Sequence, residues 1–541
     1  MQDSSIRTYQ TRLRLDETTD KALLACAELF AHVEHSLFRD VRAKKSPKDL
    51  KSQYLKKYGI TARHFNACRV KIEGKIASIQ ERRQSFISEI SEQIKSVEEK
   101  LSQPKRKKSP LFIHQKKRRL HQIKQRLQKL QYRQEKGDIS LCFGSKKLFR
   151  AQFNLEANGF KNHEEWQTAW RFERKNELFF LGSKDESGGN QSCTLSLEED
   201  KTFSLRIRFP DALITKFGKY LRLTNIHFAY GQENIIAGLI DCRQRQLLSH
   251  LKDPNYQNHG QALSCRFKRD EKGWSIFVTT TLPKPQWKTD KNRGVIGVDI
   301  NTDHLALVET DRFGNPLIKE TIPLNLYGKT QKQALALIGD ACANVIAHAE
   351  KTLKPVVLED LDFQKKKRQL REKSTSFQAR KLSSFSYQSI LTHIKSRGWS
   401  KQIEVYQVNP AYTSLIGRVK FSNRYGLSIH HAAALCIGRR FLNFSEKIPR
   451  HLEKIPDGRN GHVALSLPVR NRDQHVWTFW RSLSKKLKVA LAAHFRTQRS
   501  LSTLKAALET GNLPDLVGET PAHESSTQLL GWRLYEKCTF A

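Results

Sequence analysis

The sequence lacks the features that would place it in a membrane or outside the cell. Its 541 residues contain no apolar run near the roughly 18 residues that a membrane span needs. The first fifteen residues have no apolar stretch of the signal-peptide kind. Nine cysteines are scattered along the chain, with no CxxC pair and no zinc-ligand spacing. We therefore expect a cytoplasmic protein with reduced thiols, without zinc and without membrane association.

Acidic residues are also scarce. The chain has 54 Asp and Glu against 95 Lys and Arg, which gives a net charge of +41 spread over most of its length. Neutralisation of phosphates by such a surface releases counterions, so the charge favours nucleic acid as a partner. A merely solubilising basic surface is the alternative. At about 100–200 residues per domain, the length predicts two to four domains.

Hydrophobic spacing in the N-terminal region predicts a basic helical hairpin. Apolar residues keep three-four spacing over 70–101 and again over 120–130, which indicates two amphipathic helices. The segment PKRKKSP (104–110) interrupts them, because proline cannot continue a helix. We expect the tip and second arm to contact phosphates rather than form only a solvated face. The candidate residues are Lys105, Arg106, Lys107, Lys108, Lys116, Lys117, Arg118 and Arg119.

Short alternating runs predict β-strands on both sides of this hairpin. Residues 7–15 form the first. Because no long helix is predicted between the later strands, we expect a β-barrel of the oligonucleotide-binding type, followed by a linker at 283–294. The later runs are 176–182, 193–197, 203–209, 220–230, 235–240, 262–268 and 274–282.

The segment after the linker predicts an RNase H-like sheet. Strands are predicted at 294–300, 304–310 and 316–324, followed by a helix near 330–352 and a return strand at 355–361. In this fold the first and fourth strands are neighbours.

Each of these two neighbouring strands ends in an acidic residue. Asp299 ends the first and Glu359 the fourth, and buried charges are disfavoured unless they are paired or bind a metal. The two carboxylates could hold Mg²⁺, and a third ligand would complete a two-metal site for phosphodiester hydrolysis. Alternatively, Asp299 caps a turn and Glu359 pairs with a lysine.

Three sequence motifs carry a resemblance to a known family. VIGVDIN (295–301) resembles the first RuvC motif, VVLEDLDF (356–363) the second, and LSIHHAAALCIGRR (427–440) the helix of the third. Over roughly residues 1–445 the chain resembles the transposon-encoded TnpB proteins and the type V CRISPR effectors derived from them. The resemblance implies an RNA-guided DNA endonuclease that uses Mg²⁺, with Mn²⁺ as an alternative ion. Its partners would be a guide RNA and double-stranded DNA carrying a short flanking motif.

The resemblance also implies a multidomain α+β organisation. It would comprise a first wedge strand (1–15), a helical recognition region with the basic hairpin (16–138) and a wedge β-barrel (139–290). A RuvC-like nuclease domain (291–450) and a C-terminal helical tail without an assigned role (451–541) would follow. The family guards its active site with the segment that follows the second motif. In this chain that segment contains the basic residues Lys365, Lys366, Lys367 and Arg368, which we expect to bind nucleic acid.

The chain departs from the family pattern at two places. The family's zinc ribbon is missing, since 404–430 contains no cysteine. His430 stands where the third motif has an aspartate, so His430 or His431 would serve as third catalytic participant, as metal ligand or general base. Alternatively, the site has lost its third acid, and the protein is a nuclease-dead RNA-guided repressor. A DNA strand-transfer transposase on the same fold is a second alternative.

Overall fold

A computed structural model describes residues 4–102, 109–361, 387–444, 454–458, 461–471 and 473–510 of the chain. The chain divides into two compact units, residues 1–284 and 285–541. Both units mix helices with β-sheets, so the architecture is α+β.

The first unit contains a group of helices and two antiparallel sheets. Its helices are α1 (Glu17–Arg42), α2 (Pro47–Tyr58), α3 (Ala62–Ser102), α4 (Pro110–Glu135), α5 (Lys146–Ala151), α6 (His163–Arg174), α7 (Ile214–Phe217) and α8 (Gln232–His250). Its strands are β1 (Ser4–Arg12), β2 (Glu177–Phe180), β3 (Cys193–Leu197), β4 (Phe203–Arg208), β5 (Tyr220–Ile226), β6 (Ser264–Asp270) and β7 (Gly273–Pro283).

Helices α3 and α4 form the predicted antiparallel hairpin. Arg83 in α3 donates a hydrogen bond to the carbonyl of Arg133 near the end of α4 (2.9 Å), and Glu98 pairs with Lys124 further along (2.7 Å). The later residue of α3 contacts the earlier residue of α4, so the two helices are antiparallel and the prediction is confirmed. Ser109 caps the start of α4, since its hydroxyl accepts a hydrogen bond from the amide of Phe112. No side chain of α4 is buried.

The predicted barrel is wrong, since the described strands of this unit form no closed ring. One sheet has the order β1-β7-β6-β2, and the other has the order β3-β4-β5. The apolar run at 235–240, predicted as a strand, lies inside α8, because a short apolar run does not distinguish a buried strand from a helix. The two sheets share one core, in which Phe180 and Phe267 of the first cluster with Phe203 and Leu205 of the second.

The second unit is built on a five-stranded mixed sheet with helices. The strands of this sheet are β8 (Ile296–Ile300), β9 (His304–Thr310), β10 (Pro316–Pro323), β11 (Val356–Glu359) and β12 (Val405–Val408). A separate two-stranded sheet contains β13 (Ile455–Pro456) and β14 (His462–Val463). The helices of this unit are α9 (Gln331–Thr352), α10 (Tyr387–Lys401), α11 (Thr413–Ile416), a π-helix (Gly417–Phe421), α12 (Ser422–Tyr425), α13 (Ile429–Phe441) and α14 (Val476–Thr510).

The strand order of this sheet is β10-β9-β8-β11-β12. Strands β8, β9 and β10 are antiparallel, whereas β11 runs parallel to both β8 and β12. The predicted adjacency of the first and fourth strands is therefore confirmed. Helix α9 connects β10 to β11, and its Ile338, Val345 and Ile346 are buried in the core beneath the sheet.

Helix α13 packs very closely on β8. A Cβ atom added at Gly297 would lie 2.0 Å from the carbonyl oxygen of Ala434. Only glycine allows this approach of helix to strand. The contact fixes the distance between β8 and the middle of α13, where Ala434 lies.

Gly297→Ala should lower the free energy of unfolding by about 2 kcal/mol, because the opposing atom belongs to a helix backbone and cannot move aside. Urea denaturation measures the effect. Gly339→Ala is the matched control in the same unit, since the nearest atom to its added Cβ is the end of a flexible arginine at 3.4 Å. Equal midpoints for the two variants would contradict the close packing.

Candidate functional site

Asp299 lies one residue before the end of β8, and only 7% of its surface is exposed. Its Oδ2 accepts a hydrogen bond from the side-chain amide of Asn301 at 3.0 Å. The same oxygen lies 3.3 Å from Nδ1 of His430. The carboxylate is thus buried but has two polar neighbours, as a buried charge requires.

Glu359 is the last residue of β11 and is 9% exposed. Val356 pairs with Ile296 in the parallel ladder, an offset of 356 − 296 = 60. Because 359 − 299 is also 60, the same offset brings Glu359 level with Asp299. The hydroxyl of Thr413 donates a hydrogen bond to the Glu359 carboxylate. The two predicted acids therefore lie together at one edge of the sheet.

Tyr387, the first residue of α10, packs beneath this pair and is 1% exposed. Its hydroxyl donates a hydrogen bond to the backbone carbonyl of Glu359. Burial raises the pKa of the Tyr387 phenol, and the negative charges of Glu359, Asp360 and Asp299 raise it further. Tyr387 is therefore a neutral hydrogen-bond donor at physiological pH and lies within the field of these carboxylates.

His430 reaches Asp299 from the first turn of α13. This helix begins at Ile429, after Ser428, whose hydroxyl caps the amide of His431 at 3.2 Å. The ring of His430 meets that of His304 edge-on, with a distance of 4.9 Å between centroids. Because Nδ1 of His430 faces Asp299, the Nε2 atom is the ring nitrogen left for a water molecule or a phosphate.

His431 is directed elsewhere. Its Nε2 lies 3.0 Å from the carbonyl of Glu320, which can only accept, and its Nδ1 lies 2.8 Å from the Ser428 hydroxyl. Burial lowers the pKa of the His431 imidazole, so that its ring is neutral at pH 7. Of the two candidate histidines, the structure brings His430 to Asp299 and places His431 against β10.

The predicted basic residues lie apart from this site in the chain. Lys116, Lys117, Arg118 and Arg119 occupy the first half of α4 in the first unit, where Lys116 lies over the ring of Phe112 at 5.3 Å. The remaining predicted basic residues lie outside the described residues. They are Lys105, Arg106, Lys107, Lys108, Lys365, Lys366, Lys367 and Arg368.

The site fits a hydrated Mg²⁺ better than a complete protein cage. Within the ranges that the structure describes, no group of three or more His, Cys, Asp or Glu side chains is placed to hold a metal ion. Proteins usually bind Mg²⁺ through one or two carboxylates, and water and substrate phosphate complete its shell. Asp299 and Glu359 supply such a pair.

Sequence reasoning missed Thr413 as a partner of Glu359. Thr413 is the first residue of α11 and belongs to the segment PAYTS (410–414), which follows β12. Strand β12 runs parallel to β11, so the two strands end at the same edge of the sheet. A hydroxyl residue placed shortly after a parallel strand was the available signal.

Comparisons with known proteins give only weak similarities. No protein-family model matches the chain, and no curated protein matches it in sequence. The chain has 12% identity and a TM-score of 0.20 to a CRISPR-Cas12f ternary complex, over 80% of this chain and 98% of that one. The values are the same for a Cas12f1–sgRNA–target DNA complex. A Cas12i1 R-loop complex before target DNA cleavage has 10% identity and a TM-score of 0.27, over 68% of this chain and 61% of that one.

These TM-scores are too low to carry a conclusion about function. One further observation concerns membranes: none of the helices in the described ranges is long and apolar enough to span one.

Thr413→Val should destabilise the second unit by about 1–3 kcal/mol at neutral pH, because a buried carboxylate loses a hydrogen-bond donor while the side-chain volume is kept. Urea denaturation again provides the measurement. Thr413→Ser keeps the hydroxyl and should retain most of the stability. If Val and Ser behave alike, the hydrogen bond to Glu359 does not support the site.

Proposed function

We propose that the chain is an RNA-guided DNA endonuclease whose second unit is an RNase H-like domain of the RuvC type. The observation that carries this proposal is the pair of buried carboxylates, Asp299 and Glu359, level with each other on neighbouring parallel strands. The strand order β10-β9-β8-β11-β12 supports it, as do the two motifs that contain these acids. An acidic pair at one point of a chain with net charge +41 is suited to recruit a cation to a phosphate.

In this proposal Asp299 and Glu359 hold Mg²⁺, which supplies stabilisation of the phosphate charge and a more acidic water when bound. Asn301 and Thr413 keep the two carboxylates in place. His430 is held by Asp299 and can accept a proton from the attacking water at Nε2, as a general base does. A second metal ion remains a prediction, as does the use of Mn²⁺.

The proposed partners are a guide RNA and a double-stranded DNA target with a short flanking motif. The net charge and the exposed basic face of α4 support a nucleic-acid partner. We infer a relationship to the TnpB proteins and type V effectors from the RuvC motifs. Base pairing would then supply the sequence specificity, while the protein supplies charge and shape.

The second candidate function is a nuclease-dead RNA-guided repressor. The observation that favours it is the imidazole of His430 beside Asp299, at the position where the family has a third acid. Two carboxylates and a histidine would still hold a metal ion beside bound nucleic acid but would stabilise the leaving oxygen less. A strand-transfer transposase would place the same acids on the same sheet without any guide RNA.

Asp299→Ala and Glu359→Gln should each reduce linearisation of a plasmid carrying the matched target by roughly 100-fold or more, because each removes a ligand that stabilises transition-state charge. The assay uses the full chain with its co-purified RNA and Mg²⁺. Glu350→Gln is the control, since this residue pairs with Lys401 on the surface of α9. Unimpaired cleavage by Asp299→Ala would contradict the assigned site.

Substitutions of His430 separate the nuclease from the repressor. If His430 accepts a proton, His430→Ala should lower the cleavage rate by about 10²–10⁴-fold, while binding of the target is kept. If the wild-type chain binds the target tightly without a cut and His430→Asp gains cleavage, the repressor is correct. Protein expressed from its native locus and purified should contain a discrete RNA species. If it contains none, the RNA-guided nuclease and the RNA-guided repressor are both contradicted, and the transposase is favoured.

A further inference from the structure

The sheet β3-β4-β5 has one buried face and one exposed face. Cys193, Leu195, Leu205, Ile207 and Leu223 alternate towards the core and are buried. The residues between them point to the opposite side, which we call the outer face. Its members are Thr194, Ser196, Ser204, Arg206, Arg208, Tyr220, Arg222 and Thr224.

Two arginines on the outer face lie opposite each other. The ladder between β4 and β5 pairs Arg206 directly with Arg222, and like charges at paired positions destabilise a sheet. Both side chains are exposed, and neither has a carboxylate partner among the residues that the structure describes. The neighbouring Arg208, in contrast, is paired with Asp211. The acidic turn at 198–200 precedes the first residue of β4, whereas Arg206 and Arg208 lie near the end of that strand.

An exposed tyrosine stands among these cations. Tyr220, which is 44% exposed, pairs with Arg208 across the ladder. The guanidinium of Arg206 lies 5.1 Å from the centre of its ring, and the ammonium of Lys219 lies 5.7 Å from it. The outer face therefore combines uncompensated positive charge with a partly open aromatic ring.

This combination matches single-stranded nucleic acid. Arginines neutralise phosphates, while tyrosine rings and guanidinium planes stack on unpaired bases. The hydroxyls of Ser196, Ser204 and Thr224 on the outer face favour RNA, because they can hydrogen-bond the 2′-OH that DNA lacks. A lipid surface is a poor match, since Tyr220 is the only large apolar group on this face.

We propose that the outer face binds single-stranded RNA, with Arg206 and Arg222 on phosphates and Tyr220 against an unpaired base. The proposal assigns an RNA contact to residues that sequence reasoning did not single out. It deepens the proposed function by giving the RNA a place on the first unit. It does not depend on cleavage, so the two can fail separately.

The experiment measures binding of a fluorescent single-stranded RNA to the full chain, without Mg²⁺ and after co-purified RNA has been removed at high salt. Affinity is recorded at several salt concentrations. The double variant R206A/R222A should bind more weakly. It should also show a slope of log affinity against log salt that is shallower by about 1.4, since each phosphate contact on a single strand contributes about 0.7.

K48A/K56A is the matched control, because it removes two exposed charges from α2 and lowers the net charge equally. Its slope should equal that of the wild-type chain. Tyr220→Ala should weaken binding roughly 5- to 150-fold with the slope unchanged, whereas Tyr220→Phe keeps a stacking ring and should bind normally. Thermal unfolding of each variant verifies the fold, which these exposed positions should not disturb.

Three outcomes would overturn the proposal. They are an equal slope change in K48A/K56A, an unchanged slope in R206A/R222A, and a loss of duplex-DNA affinity in R206A/R222A that equals its loss of single-stranded RNA affinity. If any of these occurs while Asp299-dependent plasmid cleavage persists, the outer face is not an RNA site, but the proposed nuclease stands. If RNA binding behaves as expected and cleavage is absent, the nuclease fails and this inference stands.

Discussion

The parallel pairing of β8 with β11 places two buried carboxylates side by side, and much of the second unit compensates this arrangement. Two like charges with little exposed surface are costly, because they lose hydration and repel each other. Around them the chain supplies hydrogen-bond donors: Asn301 to Asp299, Thr413 to Glu359, and Tyr387 to the backbone of Glu359. A structure that maintains such a pair has a strong local preference for a cation.

The helices that pack on the sheet also help to position the residues around the two carboxylates. His430 reaches Asp299 because α13 lies on β8 at a distance that only Gly297 permits. The π-helix before it is similarly close, since a Cβ atom at Gly417 would lie 2.4 Å from the carbonyl of Ala432. π-helical turns are rare and frequently occur near functional sites. Two glycines thus position the imidazole relative to the carboxylate.

The elements that could be predicted from the sequence are those with long or strongly patterned signals. The hairpin α3–α4 follows from helical periodicity, and the adjacency of β8 and β11 follows from the order of strands and helix. The prediction of a β-barrel failed at IIAGLI (235–240), because six consecutive apolar residues show neither the period of a helix nor that of a strand. The choice between His430 and His431 was also out of reach. Consecutive helical residues point about 100° apart, and only the docking of α13 decides which one faces the sheet.

The hydrogen-bond partners of the two acids could not be predicted from the sequence for a related reason. Thr413 lies 54 positions after Glu359, and its hydroxyl can be identified as a partner only when β12 is placed beside β11. Side chains that act on a neighbour far away in sequence leave no local pattern. Residues that must be buried and charged, such as Asp299 and Glu359, are conspicuous in an apolar strand and can be identified beforehand.

The second arm of the hairpin differs from these tightly constrained elements. Helix α4 has 26 residues and no buried side chain. Its apolar residues Leu120, Ile123 and Leu127 are half-buried, whereas a substitution on the exposed remainder of the helix leaves no cavity and costs little in folding as long as helix propensity is kept. On that exposed face one residue can therefore replace another with little change in the free energy of unfolding. Strands β8 and β11, which have almost no exposed surface, have no comparable freedom.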